Sequence, residues 1–259
     1  EKMFTVVYWD QRGSGKSFDR KIDRSSMTVE QFSADLDELV QAVCERTGAK
    51  QVVIYGHSWG SALGVLYAAR FAKKVAAYVG SGQVGDSAAA ESASYAFALA
   101  EAERLHNRKA LAKLRAIGPP PYPVSSLFQE RFWVNRLQGQ ATLRASWEVG
   151  RLFLGGPELS LFDLTNLARG FRFTLNAMLT ETSNVNLIKL VPELQMPVFF
   201  FLGRHDRWVP PETSVTYFNM LAAPSKTLIW FDESGHEPFV DEADKFNTLM
   251  AELVRPAAG

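Results

Sequence analysis

The pentad Gly56-His57-Ser58-Trp59-Gly60 sets a serine between glycines in the pattern G-x-S-x-G. A β-branched run leads into it and an apolar segment, Ser61 to Ala72, follows it. In that strand-turn-helix setting the chain bends sharply, and the serine hydroxyl projects from the turn with a helix N-terminus beneath it. A serine hydroxyl is a weak nucleophile near neutral pH. It needs a base, and the base needs an acid to hold its tautomer and balance its charge. The chain has four histidines. His57 adjoins the serine, where the backbone is expected to turn it away into a buried structural role. His106 lies among charged residues and reads as solvated, and His205 is either a loop residue or a neighbour of the site. His236, in Glu233-Ser234-Gly235-His236-Glu237-Pro238, follows an apolar run on a glycine-marked loop and is the candidate base. Asp206, just past another such run, is the candidate acid. Its competitor Asp232 stands at the end of a run, where a turn-capping role suits it better. The chemistry implied is acyl transfer.

A second stretch, Gly13-Ser14-Gly15-Lys16-Ser17, looks like the end of a phosphate-binding loop. A Walker A loop would require glycine at position 10, which is Asp10, and a helix directly after the serine. The residues from Phe18 to Asp23 have no helical apolar face. The nucleotide reading fails twice. Lys16 is then an exposed loop lysine, and the stretch is a turn bordering a ligand site. The histidines lack metal-ligand spacing, and the lone cysteine gives no thiolate pair. No metal or cofactor is implied.

The elements that must position these residues follow from periodicity. Apolar β-branched runs at Phe4 to Tyr8, Gln51 to Tyr55, Val75 to Val79, Val198 to Leu202 and Leu228 to Phe231 predict buried strands. Thr28 followed by Gln31 predicts a helix start, with Phe32, Leu36, Leu39, Val40 and Val43 on one face, Cys44 beside it and Gly48 as the stop. A last helix is predicted near Glu242 to Val254. Strands alternating with helices imply an α/β fold with a mostly parallel sheet covered on both faces. Serine, acid and base then all fall at carboxyl ends of strands, where such a sheet places its active site. Residues 87 to 186, rich in alanine and leucine at helical spacing, read as a helical cap inserted after the third predicted strand. They split the core into residues 1–86 and 187–259. The run Gly118 to Pro123 predicts a linker between two cap helices, with a recognition role as the alternative.

Twenty-eight acidic and 28 basic residues leave no net charge to recruit nucleic acid or an anionic membrane. One cysteine and no span-length apolar run suggest a reducing, cytoplasmic setting. The expected partner is a small molecule or short peptide, and no signal for an oligomeric state is found.

Asp10 to Ser17, Gly56 to Ser61, Gly203 to Asp206 and Ser234 to His236 together resemble the D-Q-R-G-x-G-x-S, nucleophile, acid and histidine loops of α/β-hydrolases similar to proline iminopeptidases. The resemblance spans nearly the whole chain. It implies the order Ser58, Asp206, His236, a helical cap over the serine, and release of an N-terminal residue. Two departures stand out. The family's oxyanion hole pairs an amide that the backbone N–H of Trp59 would supply with one from an H-G-G-P-G loop, and that loop would lie upstream of residue 1, so the native protein is expected to begin earlier and to include further first strands. The third predicted strand ends Gly80-Ser81-Gly82-Gln83 rather than L-R-G, which leaves the released residue open.

An aminopeptidase must hold a cationic amine, which calls for a carboxylate. The cap offers Glu91, Glu101, Glu103, Glu130, Glu148, Glu158, Asp163 and Glu181. Glu148, after Trp147, is the candidate because the family's amine-binding glutamate also follows a tryptophan. A solvated helix glutamate is the alternative. Phe128, Phe132, Trp133 and Trp147 either line a ring-binding pocket or simply pack the cap. The other readings are a carboxylesterase or C–C bond hydrolase on the same residues, or a non-catalytic binding protein on the same fold.

Overall fold

The structure, a computed structural model, describes residues 3–138 and 161–258. After two short turns come α1 (Val29–Thr47), β1 (Val52–His57), α2 (Trp59–Arg70) and β2 (Val75–Ser81). Helices α3 (Ser87–Arg104), α4 (Arg108–Ile117), α5 (Val124–Leu137), α6 (Leu161–Thr182) and the single turn α7 (Leu187–Leu190) follow. The chain closes with β3 (Val198–Gly203), α8 (Pro211–Met220), β4 (Lys226–Phe231), α9 (Pro238–Asp241) and α10 (Ala243–Leu249), which runs on into a π-helical turn at Met250–Val254.

Among the described residues the sheet has four strands, all parallel, in the order β1-β2-β3-β4. The central strands β2 and β3 are buried on both faces while β1 and β4 are mostly half-buried, and the period of two shows in where each side chain goes. Tyr78, Val198, Phe200 and Leu202 pack with α1, α2 and α8 through Leu36, Val40, Val65 and Tyr217. Their neighbours Ala77, Val79, Phe199 and Phe201 face the other way, toward Phe231, Phe246 and Val254. The register aligns Gly56 with Gly80, Ser81 with Phe201 and Gly203 with Phe231, so the strands end together and their carboxyl-end loops meet.

Helix α1 starts as its sequence dictates. Thr28 Oγ1 accepts the Gln31 N–H at 3.1 Å, and Gly48 closes the helix in the left-handed region. Cys44 packs against the core beside Leu39. The linker at Gly118 to Pro123 joins α4 to α5 as predicted. One expected strand is absent. Phe4 to Tyr8 forms no ladder among the described residues, and Val6 and Val7 are exposed, with Tyr8 at 83%. A β-branched run becomes a strand only when a neighbour pairs its backbone and a face buries its side chains, and this run has neither.

The glycine-rich stretch beyond that run docks onto helices. Asp10 accepts the Lys16 N–H at 2.9 Å, closing the turn. Arg12 forks onto Asp35 of α1 at 2.6 and 2.8 Å, and Gly13 C=O accepts the Thr174 hydroxyl of α6. Trp9 shares an apolar cluster with Trp59. Between β2 and β3, helices α3, α4 and α5 form a small bundle around Ala98, Ala102, Ala110, Leu114, Trp133 and Val134.

Candidate active site

Ser58 is the single residue between β1 and α2. Its φ of 54° and ψ of −125° put a non-glycine residue where L side chains rarely sit, at a cost of about 1–3 kcal/mol. Neighbouring bonds hold it there. Ser58 N–H donates to Ser81 C=O at 3.0 Å. The Ser61 hydroxyl donates to Ser58 C=O at 2.6 Å and accepts the Val84 N–H at 3.0 Å. Gly56 is needed for the bend, because a Cβ there would meet Gly60 O at 2.5 Å and Ser61 Cα at 2.7 Å. Gly60 is not, since a Cβ at that position meets nothing within 4 Å. Trp59 is the first residue of α2, so its N–H has no intrahelical acceptor.

Asp206 and His236 meet on the loops after β3 and β4. Nδ1 of His236 lies 2.8 Å from Asp206 Oδ2, and both side chains are about 95% buried or more. The other oxygen, Asp206 Oδ1, accepts the N–H groups of Trp208 and Val209, each at 2.9 Å. The two loops are stitched together by Arg204 N–H to Phe231 C=O and His205 N–H to Ser234 C=O. Two carboxylates at the end of α9 and just past it hold the histidine loop: Asp241 accepts the Gly235 N–H, and Glu242 accepts the Glu233 N–H and the Ser234 hydroxyl. Burial alone would push the His236 imidazole down. The charge and hydrogen bond of Asp206 outweigh it, with Glu237 adding to them and Arg131 opposing, so its pKa lies above the ordinary histidine value. Ser58 Oγ makes no hydrogen bond to His236 among the described residues.

The other candidates sort clearly. His57 does not turn away: its ring centroid is 4.6 Å from that of His236, and its Nδ1 bonds the Ser81 hydroxyl, which also bonds the Tyr55 hydroxyl. Alternation of neighbouring side chains holds only while both residues are extended, and Ser58 is not. Burial and the neighbouring His236 push the His57 pKa well down, which keeps that ring neutral. Asp232 caps no turn through its side chain and pairs with Arg204 at the surface, far from a role as acid. His106 and His205 are exposed. Phe128 and Phe132 are exposed too; their ring partners are Phe171 and Trp133, and with Lys109 and Lys113 they border an open surface groove. Trp147 and Glu148 lie outside the described residues. No group of three or more His, Cys, Asp or Glu able to hold a metal occurs among the described residues. No helix among them is long and apolar enough to cross a membrane.

A family model described as alpha/beta hydrolase fold matches residues 1–243. The chain belongs to that family. This alpha/beta hydrolase is 33% identical over 255 residues to a Bacillus subtilis (strain 168) protein named "Probable aminopeptidase YbaC", covering 96% of the chain and 80% of the relative. It is 24% identical over 268 residues to a proline iminopeptidase of Heyndrickxia coagulans, covering 96% and 81%. Among solved structures it is similar to proline iminopeptidase from Mycobacterium smegmatis, with a TM-score of 0.60 at 16% identity, covering 96% of this chain and 79% of that one.

Two neighbours of His236 in this hydrolase escaped the sequence reading. A Cβ on Gly82, at φ 50°, would meet His236 Cε1 at 2.7 Å and Nδ1 at 3.0 Å, so only glycine lets the β2 loop pass the imidazole. Trp208 lays its indole against His236, ring centroids 5.2 Å apart and planes 35° from parallel. Its place two residues after Asp206 was the available signal.

Proposed function

We propose that this hydrolase acts through an acyl-enzyme with Ser58 as nucleophile, His236 as general base and acid, and Asp206 as its orienting carboxylate. We also propose that it is an aminopeptidase of proline iminopeptidase type, releasing an N-terminal residue from small peptides. The observation that carries the mechanism is the buried 2.8 Å contact between His236 Nδ1 and Asp206 Oδ2. With Asp206 accepting from Nδ1–H, the other ring nitrogen, Nε2, is left as the proton acceptor. It takes the Ser58 proton as Oγ attacks the carbonyl carbon. The Trp59 N–H donates to the oxyanion, and the imidazolium then protonates the leaving amine. Water, deprotonated by the same nitrogen, attacks the acyl carbon and frees Ser58. Residues 87–186 are assigned as the cap over this site, between core segments 1–86 and 187–259. Glu148, with Trp147 beside it, is assigned to the substrate amine. The aminopeptidase name of the B. subtilis relative supports the substrate class.

The test pairs a prolyl arylamide with a short-chain nitrophenyl ester and a serine-directed phosphonate. Ser58→Ala is expected to lower kcat by about 10⁴-fold or more and to abolish labelling. Activity that survives the substitution rejects the mechanism. Turnover of the ester alone keeps the nucleophile and moves the substrate class to a carboxylesterase or C–C bond hydrolase. A wild-type protein that neither labels nor turns over is a binding protein on this fold.

A further inference from the structure

We infer that Asn135 of α5 is a positioning residue for the base: through Trp208, the helical insertion sets the plane of the His236 ring. The inference rests on the reading of His236 as base. Asp206 by itself fixes only one direction of the imidazole, and freedom to turn about the Nδ1–Oδ2 line is left to the ring's neighbours, Gly82, His57 and Trp208, to remove. A flat partner removes that freedom, and the Trp208 indole lies against the ring. The indole in turn is pinned at both ends. Its backbone N–H donates to Asp206 Oδ1 at 2.9 Å, and its Nε1–H donates to Asn135 Oδ1 at 2.6 Å. Asn135 is 73 residues away in the chain and touches neither Asp206 nor Ser58 among the bonds described.

The surroundings of Trp208 are built to the same end. Arg131, one turn before Asn135 on α5, places its guanidinium carbon 5.8 Å from the indole centroid. That guanidinium donates to Glu130 and the Ser94 hydroxyl, each at 2.8 Å, and to Glu91. Ser94 Oγ of α3 lies 2.7 Å from the Arg207 carbonyl oxygen, anchoring the residue before Trp208. Two helices of the insertion therefore grip the loop that carries the acid, on the side facing the base. An aromatic face also favours the imidazolium over the neutral ring. Freeing the indole should thus weaken the orientation of His236 and lower its pKa together.

The experiment compares wild type, Asn135→Ala, Trp208→Phe and the double variant, with Asn135→Asp as the conservative change that keeps the acceptor oxygen. Each single change is expected to lower kcat about tenfold with KM within about twofold. The double variant should fall no further than the worse single, because both changes remove one hydrogen bond. Asn135→Asp should restore kcat. The acid limb of kcat/KM should move to lower pH in Asn135→Ala. The imidazole titration of His236, followed by NMR without substrate and assigned with His236→Gln, should move down with it. That titration is read whether or not Ser58 is the nucleophile, so a downshift with no activity in wild type indicts the proposed reaction and leaves the positioning intact. An unchanged titration in both single variants, or additive losses in the double, overturns the inference. So does a loss explained wholly by a lower folded fraction in thermal melts.

Discussion

Two places among the described residues bury charge and settle it differently. At the carboxyl ends of β3 and β4, Asp206 bonds the His236 imidazole, on which Glu237 also acts, and both oxygens of Asp206 are bonded, Oδ1 to two backbone N–H groups and Oδ2 to His236. In the helical insertion, Glu91 and Glu130 share the single guanidinium of Arg131, and Glu91 Oε2 is buried with no partner. Burial pushes the pKa of both glutamates up, more than Arg131 pulls it down. Backbone donors at strand ends hold a charge in one geometry because the sheet fixes them. Side-chain partners on helices leave a surplus negative charge that the fold tolerates.

The comparison breaks most visibly at Asp206. In Asp206→Asn the remaining carbonyl oxygen can still accept from Trp208 and Val209, so the loop should keep its shape and the melting temperature should change little. The new amide would then point its N–H₂ at His236 Nδ1, which must become an acceptor, leaving the proton on the nitrogen that should receive one from Ser58. A fall in kcat of about 10³- to 10⁴-fold is expected. A rate within tenfold of wild type would mean that the fully bonded carboxylate serves the loop and not the reaction.

Arg131→Met asks the same question of the insertion. It removes the one cation between two buried carboxylates, and the expected cost is about 3 kcal/mol of stability, read by denaturant unfolding at neutral pH. Lowering the pH should recover part of it as the stranded carboxyls take up protons. A variant as stable as wild type, with no such recovery, would show that the two glutamates find other partners.

How far each place was legible follows from what holds it. The placement of Ser58, Asp206 and His236 just past strand ends could be read because strands announce themselves as β-branched runs such as Val75 to Val79 and Val198 to Leu202. The same cue misled at Phe4 to Tyr8, since pairing is a property of two segments and a run reports only one. The Thr28 cap and the Gly48 stop were legible because both contacts are local. The Asn135–Trp208 bond and the Glu91–Arg131 pair span 73 and 40 residues, and no spacing rule connects such positions. His57 was misjudged because its orientation depends on the strained backbone of Ser58, which strand alternation does not describe.

Glu91→Gln tests the smallest difference between the two places. The glutamine keeps an oxygen for Arg131 and removes the surplus charge, leaving Arg131 and Glu130 as a balanced pair. Glu91 has a native pKa above its ordinary value of 4.5, so between those two values the native state binds more protons than the unfolded state. Stability must then fall as pH rises through that window, and the full penalty is present above it. The variant should therefore be more stable than wild type near pH 7, by on the order of 1 kcal/mol, with the advantage shrinking toward pH 4.5. Parallel thermal melts of both proteins across that range isolate the difference from every other titrating group. A variant that is less stable than wild type at neutral pH would show that the Glu91–Arg131 ion pair outweighs the charge it leaves over, and the insertion would then hold its charges as firmly as the sheet end does.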